Sequence, residues 1–229
     1  MEIQRPSAAV LLIALFSGCA TGLTPEQKAR LGDVTLDPIR VAPDAYQKPD
    51  ATLNPDMATK IPRVTVGGLI PALIGSAIDS AVMSSQQRKF DQAHETSYDS
   101  LRSALAQPPV AQVEAAVRHA LDQSVIFHHK CTEESKNRVD ALIVSYGLAR
   151  TYTPPQSEMR FDTRIVVEVT VTIAGGEVVL QQQFFGYSAR AATLAEFVAH
   201  PELVDGCSKE AAQRIELLLL NAVDRKLRP

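Results

Sequence analysis

The densest group of side chains with ligand or catalytic chemistry is a short polar stretch in the middle of the chain. It holds His128, His129, Cys131, Glu133 and Glu134, which offer imidazole, thiol and carboxylate groups of the kind that bind zinc. Adjacent histidines in an extended segment point to opposite sides, however, and this disfavours a shared metal ion. The spacing therefore favours a solvated polar loop, and we predict neither a metal nor another cofactor.

Catalytic motifs of defined spacing are absent from the sequence. His94 and Glu95 begin like a zinc-protease helix, but Tyr98 occupies the position that needs the second histidine. The sequence also lacks a nucleophile elbow, a phosphate-binding loop and a paired-cysteine redox motif. We therefore predict that the protein is not an enzyme.

The first 22 residues have the pattern of an export signal. An apolar run from Ala8 to Phe16 continues into Ser17, Gly18 and Cys19, and it is too short to span a bilayer. The four residues that end in Cys19 resemble the lipobox of bacterial prolipoproteins. This resemblance implies that residues 1–18 are a cleaved signal peptide and that Cys19 is acylated. The alternatives are a plain secretory signal and a buried N-terminal helix.

The residue after this cysteine indicates a destination within the cell envelope. Ala20 is not aspartate, and the resemblance to lipoproteins of Gram-negative cells then implies transfer to the outer membrane. The mature chain would face the periplasm, held to the membrane through the lipid on Cys19. The resemblance extends over the signal region only, so it carries no fold for the rest of the chain.

Two cysteines, Cys131 and Cys207, remain once Cys19 carries lipid. We expect them to form a disulfide, because the periplasm oxidises thiols. On the chain-entropy model, closing this loop stabilises the fold by roughly 4 to 5 kcal/mol. A disulfide would also remove both sulfurs as nucleophiles and metal ligands. The alternative is two buried free thiols that never meet.

The composition argues against several classes of partner. The 229 residues include 23 basic and 26 acidic side chains, with a net charge of −3 and no basic block to follow a phosphate backbone. Tryptophan is absent, which leaves no obvious stacking platform for bases or sugars. We therefore expect no nucleic-acid partner. The length suits one domain, with or without a tether.

The segment after the signal peptide predicts an edge strand and a linker. Residues Val34 to Val41 have an extended, β-rich composition, and Pro38 restricts them to the edge of a sheet. Residues 42–62 are rich in Pro, Asp, Thr and Asn without an apolar period, which indicates a long loop that lets the body stand away from the membrane. We therefore assign residues 19–62 to a lipidated N-terminus, edge strand and linker, and residues 63–229 to a globular domain.

A nearly uncharged stretch from Val64 to Met83 begins this domain. We predict a core helix here. Gly67, Gly68 and Gly75 would also allow close approach of a partner helix, so this stretch is a candidate contact for an envelope protein or a shallow membrane insertion. A transmembrane helix is a further alternative, which a proline, an aspartate and the three glycines make costly.

Apolar spacing of three and four residues predicts four further helices. The first two cover residues 90–105 and 110–121, and the second carries Glu114 and Arg118 one turn apart on its exposed side. A short helix is expected over residues 193–200. A long helix is expected over residues 208–227, introduced by Asp205-Gly206.

Three strands are expected between these pairs of helices. The first lies around residues 142–144, and strict apolar–polar alternation from Arg164 to Ile173 predicts the second. Gly175-Gly176 supplies a tight turn, after which residues 177–185 return antiparallel. The order predicts an α+β fold, in which helices cover one face of a small antiparallel sheet, a three-stranded meander with the N-terminal strand at its edge.

Polar residues on these strands suggest where another protein would bind. Gln181 to Gln183, with Thr170 and Thr172, would form a polar outer face, although solvated faces of antiparallel sheets have the same composition. A set of aromatic residues and one arginine would either pack in the core or line a groove beside the sheet. They are Tyr146, Tyr152, Arg164, Phe184, Phe185 and Tyr187.

The sequence thus predicts an outer-membrane lipoprotein that binds or scaffolds another envelope component without catalysis. One alternative is a periplasmic hydrolase whose site is assembled from distant residues, since catalytic triads are defined by geometry. Its candidate residues are His128 or His129 with Glu133 or Asp162. The other alternative is a lipid or hydrophobe carrier, suggested by the apolar stretch over residues 64–83, which would need a pocket between helix and sheet.

Overall fold

The N-terminal segment begins with a short helix and continues as an interrupted strand. The computed structural model describes residues 23–50, 88–127 except 98 and 103, 135–151 and 158–227. Its first elements are α1 (Pro25–Arg30), β1 (Val34–Leu36), β2 (Arg40–Val41) and β3 (Tyr46–Asp50). All three short strands pair in parallel with the same long strand. The edge strand expected over residues 34–41 is confirmed, and Pro38, which has no N–H for a ladder, lies at its interruption.

The expected three-stranded meander is confirmed. It comprises β4 (Asn137–Arg150), β5 (Phe161–Ile173) and β6 (Glu177–Tyr187), each paired antiparallel with the next. Gly175 and Gly176 form the hairpin turn with φ of 104° and 85°, values that favour glycine. The sheet has six strands, because β4 also carries the three short strands on its other side. The fold class is α+β, as predicted, with a larger sheet than expected.

The prediction of a loop from residue 42 onward is wrong for residues 46–50, which form β3. Ala45 is 1 % exposed, its carbonyl accepts the Tyr146 N–H at 2.8 Å, and β3 follows directly. The Tyr46 ring lies 5.8 Å from the Tyr146 ring. A Cβ at Gly147 would overlap the Gln47 carbonyl, so a glycine on β4 permits this pairing. Composition did not predict this strand, because residues 46–50 have no apolar period of their own. Their backbone is satisfied by pairing with β4.

Four helices follow within the described residues. α2 is helical at residues 88–97, 99–102, 104 and 105, and α3 spans Val110–Gln123. α4 (Leu194–Ala199) starts with a capping box between Thr193 and Glu196. α5 (Glu202–Leu227) begins earlier than the expected residue 208, with Gly206 inside the helix rather than before it. Acidic residues in its first turn favour this earlier start.

Helices α3 and α5 lie side by side on one face of the sheet. Three polar contacts join the two helices, and the residue numbers of the partners rise together along both helices. Gln112 Nε2 donates to Asp205 Oδ1, His119 Nδ1 lies 2.6 Å from Glu216 Oε1, and Ser124 Oγ donates to Asp224 Oδ1. The two helices are therefore parallel. α5 starts beside the second cluster described below, to which Cys207 belongs, and runs toward Val34 and the β5–β6 hairpin.

Two groups of buried side chains stabilise this arrangement. The larger core joins α3, α5 and the facing side of the meander, and residues such as Val117, Ile143, Val167 and Leu219 are fully buried in it. Each such side chain contributes about 1.5–3 kcal/mol when removed from water. The second cluster lies at the opposite end of the sheet from the hairpin and joins α2, α4 and the start of α5. Its members include Phe90, Leu101, Leu148, Phe161, Phe197 and Cys207.

A buried asparagine joins the N-terminal segment to the sheet. Asn137, 5 % exposed, donates its Nδ2 to the carbonyls of Arg30 and Asp33 at 3.1 and 3.0 Å. Its Oδ1 accepts the Ala174 N–H at 2.9 Å. Both ends of the amide are therefore satisfied by backbone, and the start of β4, the end of β5 and the loop after α1 are held together.

No helix within the described residues is both long enough and apolar enough to cross a membrane. The stretch from Val64 to Met83 lies outside those residues, as does the signal region. The predictions made for these two segments therefore stay predictions.

Candidate interaction surface

The two faces of the meander have opposite character. Odd-numbered residues of β5 from Ile165 to Ile173 are buried toward α3 and α5, whereas most even-numbered ones are partly exposed on the other side. Register places these even residues beside matching positions of β4 and β6. We call this side the polar face. It comprises Asp162, Arg164, Val166, Glu168, Thr170 and Thr172 of β5, Arg138, Asp140 and Leu142 of β4, and Val178, Gln181, Gln183, Phe185 and Tyr187 of β6.

Glu168 lies at the centre of the polar face between two glutamine amides. Gln181 Nε2 donates to its Oε1 at 3.2 Å, and Gln183 Nε2 donates to its Oε2 at 3.2 Å. Both donors are uncharged, so they orient the carboxylate without neutralising it. In the part of the chain that the structure describes, no cation lies within ion-pair distance of Glu168. The centre of the face is therefore an oriented negative charge.

An unused acceptor lies beside this carboxylate. The Oε1 atom of Gln183 is buried and has no hydrogen-bond partner in the described structure. An unsatisfied buried acceptor costs about 1–3 kcal/mol. Because this oxygen is buried, a partner on the surface does not reach it, and the Glu168 carboxylate is the acceptor that the polar face presents.

Charged residues at the rim of the polar face are paired within the chain. Arg40 Nη2 lies 3.4 Å from Asp140 Oδ1, and Arg138 Nη1 lies 2.5 Å from Asp37 Oδ1. Both pairs link the N-terminal edge segment to β4. They are largely exposed, and exposed pairs of this kind contribute about 0–1 kcal/mol. In each pair the arginine compensates the charge of the aspartate, whereas Glu168 has no such partner among the described residues.

A better buried pair lies further along β5. Arg164 Nε donates to Asp162 Oδ1 at 2.8 Å, with side-chain exposures of 18 % and 11 %. Burial raises the pKa of the Asp162 carboxyl, and the arginine opposes this shift only in part. Asp162 was the carboxylate considered for a hydrolase, and here it is engaged by Arg164. The other candidates, His128, His129 and Glu133, lie outside the described residues.

The aromatic candidates divide between the core and the polar face. Tyr146 and Phe184 are buried, and the Tyr146 hydroxyl donates to the Ala106 carbonyl at 2.7 Å. Phe185 and Tyr187 lie on the polar face beside Val166 and Arg164. The Tyr187 ring is also stacked by Arg214 at 5.4 Å. Tyr152 lies outside the described residues, so its part in the groove considered above stays a hypothesis.

Cys207 is buried in the second cluster, and among the described residues its thiol has no disulfide partner. Burial raises its pKa, so the thiol stays protonated at neutral pH. Its Sγ lies 4.0 Å from the Arg190 carbonyl, the length of a weak hydrogen bond. Cys131 lies outside the described residues, as do Cys19, Gly67, Gly68 and Gly75. The disulfide, the lipidation and the glycine contact therefore stay predictions.

His94 is used structurally. Its Nδ1 lies 2.9 Å from the Phe90 carbonyl, and its ring contacts the Phe90 ring at a centroid distance of 4.3 Å. Across the described ranges, no three histidine, cysteine or carboxylate side chains are grouped as metal ligands.

Sequence reasoning recognised the glutamines of the polar face but missed Glu168 as its centre. The signal was present, because Glu168 shares the parity of Thr170 and Thr172 within the same alternating strand. Only the hairpin register, which aligns Glu168 with Gln183, brings the three side chains together. A second missed contact is the His119–Glu216 pair, which His119 makes through Nδ1. The other ring nitrogen of His119, Nε2, lies 2.9 Å from Gln123 Nε2.

Comparisons with known proteins do not assign this chain to a family. No family model matches it, and no curated protein matches it. One similar crystal structure is that of a candidate lipoprotein from Caulobacter crescentus, with 17 % identity, a TM-score of 0.28, and coverage of 51 % of this chain and 87 % of the other. Another is a hypothetical protein from Chlamydia trachomatis, with 11 % identity, a TM-score of 0.30, and coverage of 86 % and 95 %. Both TM-scores are low, so the functional argument rests on this chain's own geometry.

Proposed function

We propose that this protein is an outer-membrane lipoprotein that faces the periplasm and binds or scaffolds another envelope protein through its polar face. It acts without catalysis, as a binding module anchored by lipid on Cys19. The lipobox-like segment supports the anchor. The observation that carries the binding role is the oriented, unneutralised Glu168 carboxylate at the centre of the sheet face opposite α3 and α5.

The chemistry of the polar face indicates the kind of partner group. The carboxylate of Glu168 accepts hydrogen bonds, so an arginine or lysine side chain of the partner would pair with it. Phe185 and the 47 % exposed Tyr187 lie on the neighbouring strand β6 and provide apolar contact area. A basic group flanked by apolar residues on the partner therefore fits this face.

Helix α5 and strand β6, by contrast, are tightly packed at Gly186. A Cβ at Gly186 of β6 would overlap the Ala211 carbonyl of α5 and lie 2.8 Å from Ile215 Cγ1. Helix and strand therefore touch backbone to backbone at this position. This contact disfavours the carrier alternative, which needs a pocket between helix and sheet.

The test is photocrosslinking in intact cells with full-length protein. A photoreactive amino acid at Tyr187, which is 47 % exposed on the polar face, should capture one recurrent envelope protein, and the same group at Leu217, which is 52 % exposed on α5, should not. The mass of the N-terminal peptide is recorded in the same sample, with a diacyl or triacyl mass expected on Cys19.

A charge variant sharpens this test. Glu168→Gln keeps the size of the side chain but removes the negative charge, so capture from Tyr187 should fall several-fold. The matched control is Glu114→Gln on α3, which removes an equally sized carboxylate from the helical side, where it pairs with Arg118 at 3.1 Å. Equal capture by the two variants would refute the role of the polar face.

A further inference from the structure

The first described residues pack against the folded body of the protein. Leu23 is 8 % exposed and belongs to the larger core. Directly after it, Thr24 and Gln27 cap α1 reciprocally: Gln27 N donates to Thr24 Oγ1 at 3.2 Å, and Thr24 N donates to Gln27 Oε1 at 2.7 Å. Leu23 packs in the core directly before a capped helix, so the position of α1 determines where Leu23 lies.

Helix α1 is held at the end of the sheet formed by the β5–β6 turn, which we call the hairpin end. Gln27 Nε2 donates to Glu177 Oε1 at 2.6 Å, and Arg30 lies 3.8 Å from the other oxygen of the same carboxylate. Glu177 is the first residue of β6. Together with the Asn137 hydrogen bonds, these contacts fasten residues 23–33 to the hairpin end.

The covalent chain then limits where the lipid can be. Cys19 precedes Leu23 by four residues, which span at most about 14 Å when fully extended. Strand β5 has 13 residues, and at 3.3 Å per residue its far end lies roughly 40 Å from the hairpin end. A lipid on Cys19 therefore has reach around the hairpin end and not around the second cluster at the other end.

Exposed apolar side chains are found at the same end. Val178, the second residue of β6, is 52 % exposed, and Val125, which follows α3, is 53 % exposed. α3 runs parallel to α5, whose final turns approach the hairpin end, so Val125 lies on this side of the molecule. Two of the large apolar residues that the fold leaves exposed therefore lie close to the attachment point of the anchor.

We propose that the hairpin end, with Val178 and Val125 at its surface, contacts the lipid bilayer into which the acyl chains of Cys19 insert. This inference rests on the lipid anchor of the proposed function. The long strands then point away from the membrane, and the polar face is accessible from the periplasm along their length. Because residues 23–50 belong to the folded body, four residues of chain separate Cys19 from Leu23.

The experiment uses the full-length protein, purified from membranes and reconstituted in vesicles of phosphatidylethanolamine and phosphatidylglycerol. A photoreactive amino acid is placed at Val178 or at Tyr187, two exposed residues of β6 at opposite ends of the strand. Phospholipid adducts are counted by mass spectrometry. Adducts from Val178 should exceed those from Tyr187 several-fold, and circular dichroism should show that both variants are folded.

A spacer variant tests the short tether itself. Twenty Gly/Ser residues between Gly22 and Leu23 add about 25 Å of flexible chain, so the excess of adducts at Val178 should disappear. Equal adducts at the two positions in the unmodified chain, with Cys19 acylated, would overturn the orientation and leave the anchor intact. An unmodified Cys19 with adducts at neither position would overturn the orientation and the anchor together.

Discussion

The two faces of the meander use the same strands for different purposes. On the side of α3 and α5, residues such as Val167 and Ile143 are fully buried, and the one buried amide, Asn137, has all its partners within the chain. On the polar face, Glu168 and Gln183 keep acceptor oxygens that neighbouring residues do not neutralise or satisfy. The first face is closed on itself, whereas the second presents the Glu168 carboxylate without a compensating cation among the described residues.

On the proposed function, stability and binding are carried by opposite sides of each strand. Substitutions on the helix-covered face should change the free energy of unfolding and affect partner capture only through folding. Substitutions on the polar face should do the reverse. The four predictions below test this division, starting from the largest expected effect.

The largest effect is expected at Gly186, where α5 touches β6. Gly186→Val places side-chain atoms against the Ala211 carbonyl and Ile215, so helix and strand must separate, at a cost of about 3 kcal/mol. Urea unfolding followed by circular dichroism measures this loss. The control is Gly206→Ala inside α5, where a Cβ meets nothing within 4 Å and should stabilise by about 0.5–1 kcal/mol. A tolerated valine at 186 would contradict the close packing of this face.

The second effect concerns the buried amide at the hairpin end. Asn137→Ala leaves the Ala174 N–H and two backbone carbonyls without this partner, so unfolding should become easier by about 2 kcal/mol. Hydrogen exchange should also increase in α1, which the amide helps to hold. The matched control is Asn221→Ala on the exposed side of α5, where one hydrogen bond to the Leu217 carbonyl is lost and little change is expected. Equal losses in both variants would contradict the role of Asn137.

The third effect is a pH dependence on the polar face. Burial raises the pKa of Asp162 above its ordinary value of 3.8, so the folded protein keeps this proton to a higher pH than the unfolded chain. The contribution of Asp162 to stability is therefore greatest below pH 3.8 and declines as the pH rises through the raised pKa.

Asp162→Asn, which cannot ionise, tests this sign. The difference in unfolding free energy, variant minus unmodified protein, should shift in favour of the variant between pH 3.8 and neutral pH. The altered contact with Arg164 adds an offset that is constant with pH, since the guanidinium stays charged. Urea titrations at several pH values give the difference, and a flat or falling curve would show that burial does not dominate at this site.

The smallest effect on stability is expected for the exposed polar residues. Gln181→Ala and Thr170→Ala should each change the free energy of unfolding by no more than about 0.5 kcal/mol. If the polar face binds a partner, the same substitutions should still reduce capture by a photoreactive group at Tyr187, which lies further along the same face. A large loss of stability without a change in capture would place these residues on the structural side of the comparison.

Local patterns in the sequence determined much of the fold. The alternation from Arg164 to Ile173, the paired glycines after it and the apolar spacing over residues 110–121 predicted the hairpin and α3, because their periods match those of strand and helix. They also predicted helices on one face of a meander. The start of α5 and the strand β3 were not predicted, since Gly206 and residues 46–50 lack the local signal and are ordered by contacts with distant elements.

The sequence by itself thus determined the lipobox-like segment, the meander, its amphipathic helices and the polarity of the outer face, all of which depend on residues close in the chain. Tertiary structure alone decided that Glu168 meets Gln181 and Gln183, that α3 and α5 are parallel, and that Leu23 is fixed four residues after Cys19. The physical reason is that each of these features depends on a register or a contact between distant segments. Such contacts are set by packing and backbone pairing across the whole domain, and no local period encodes them.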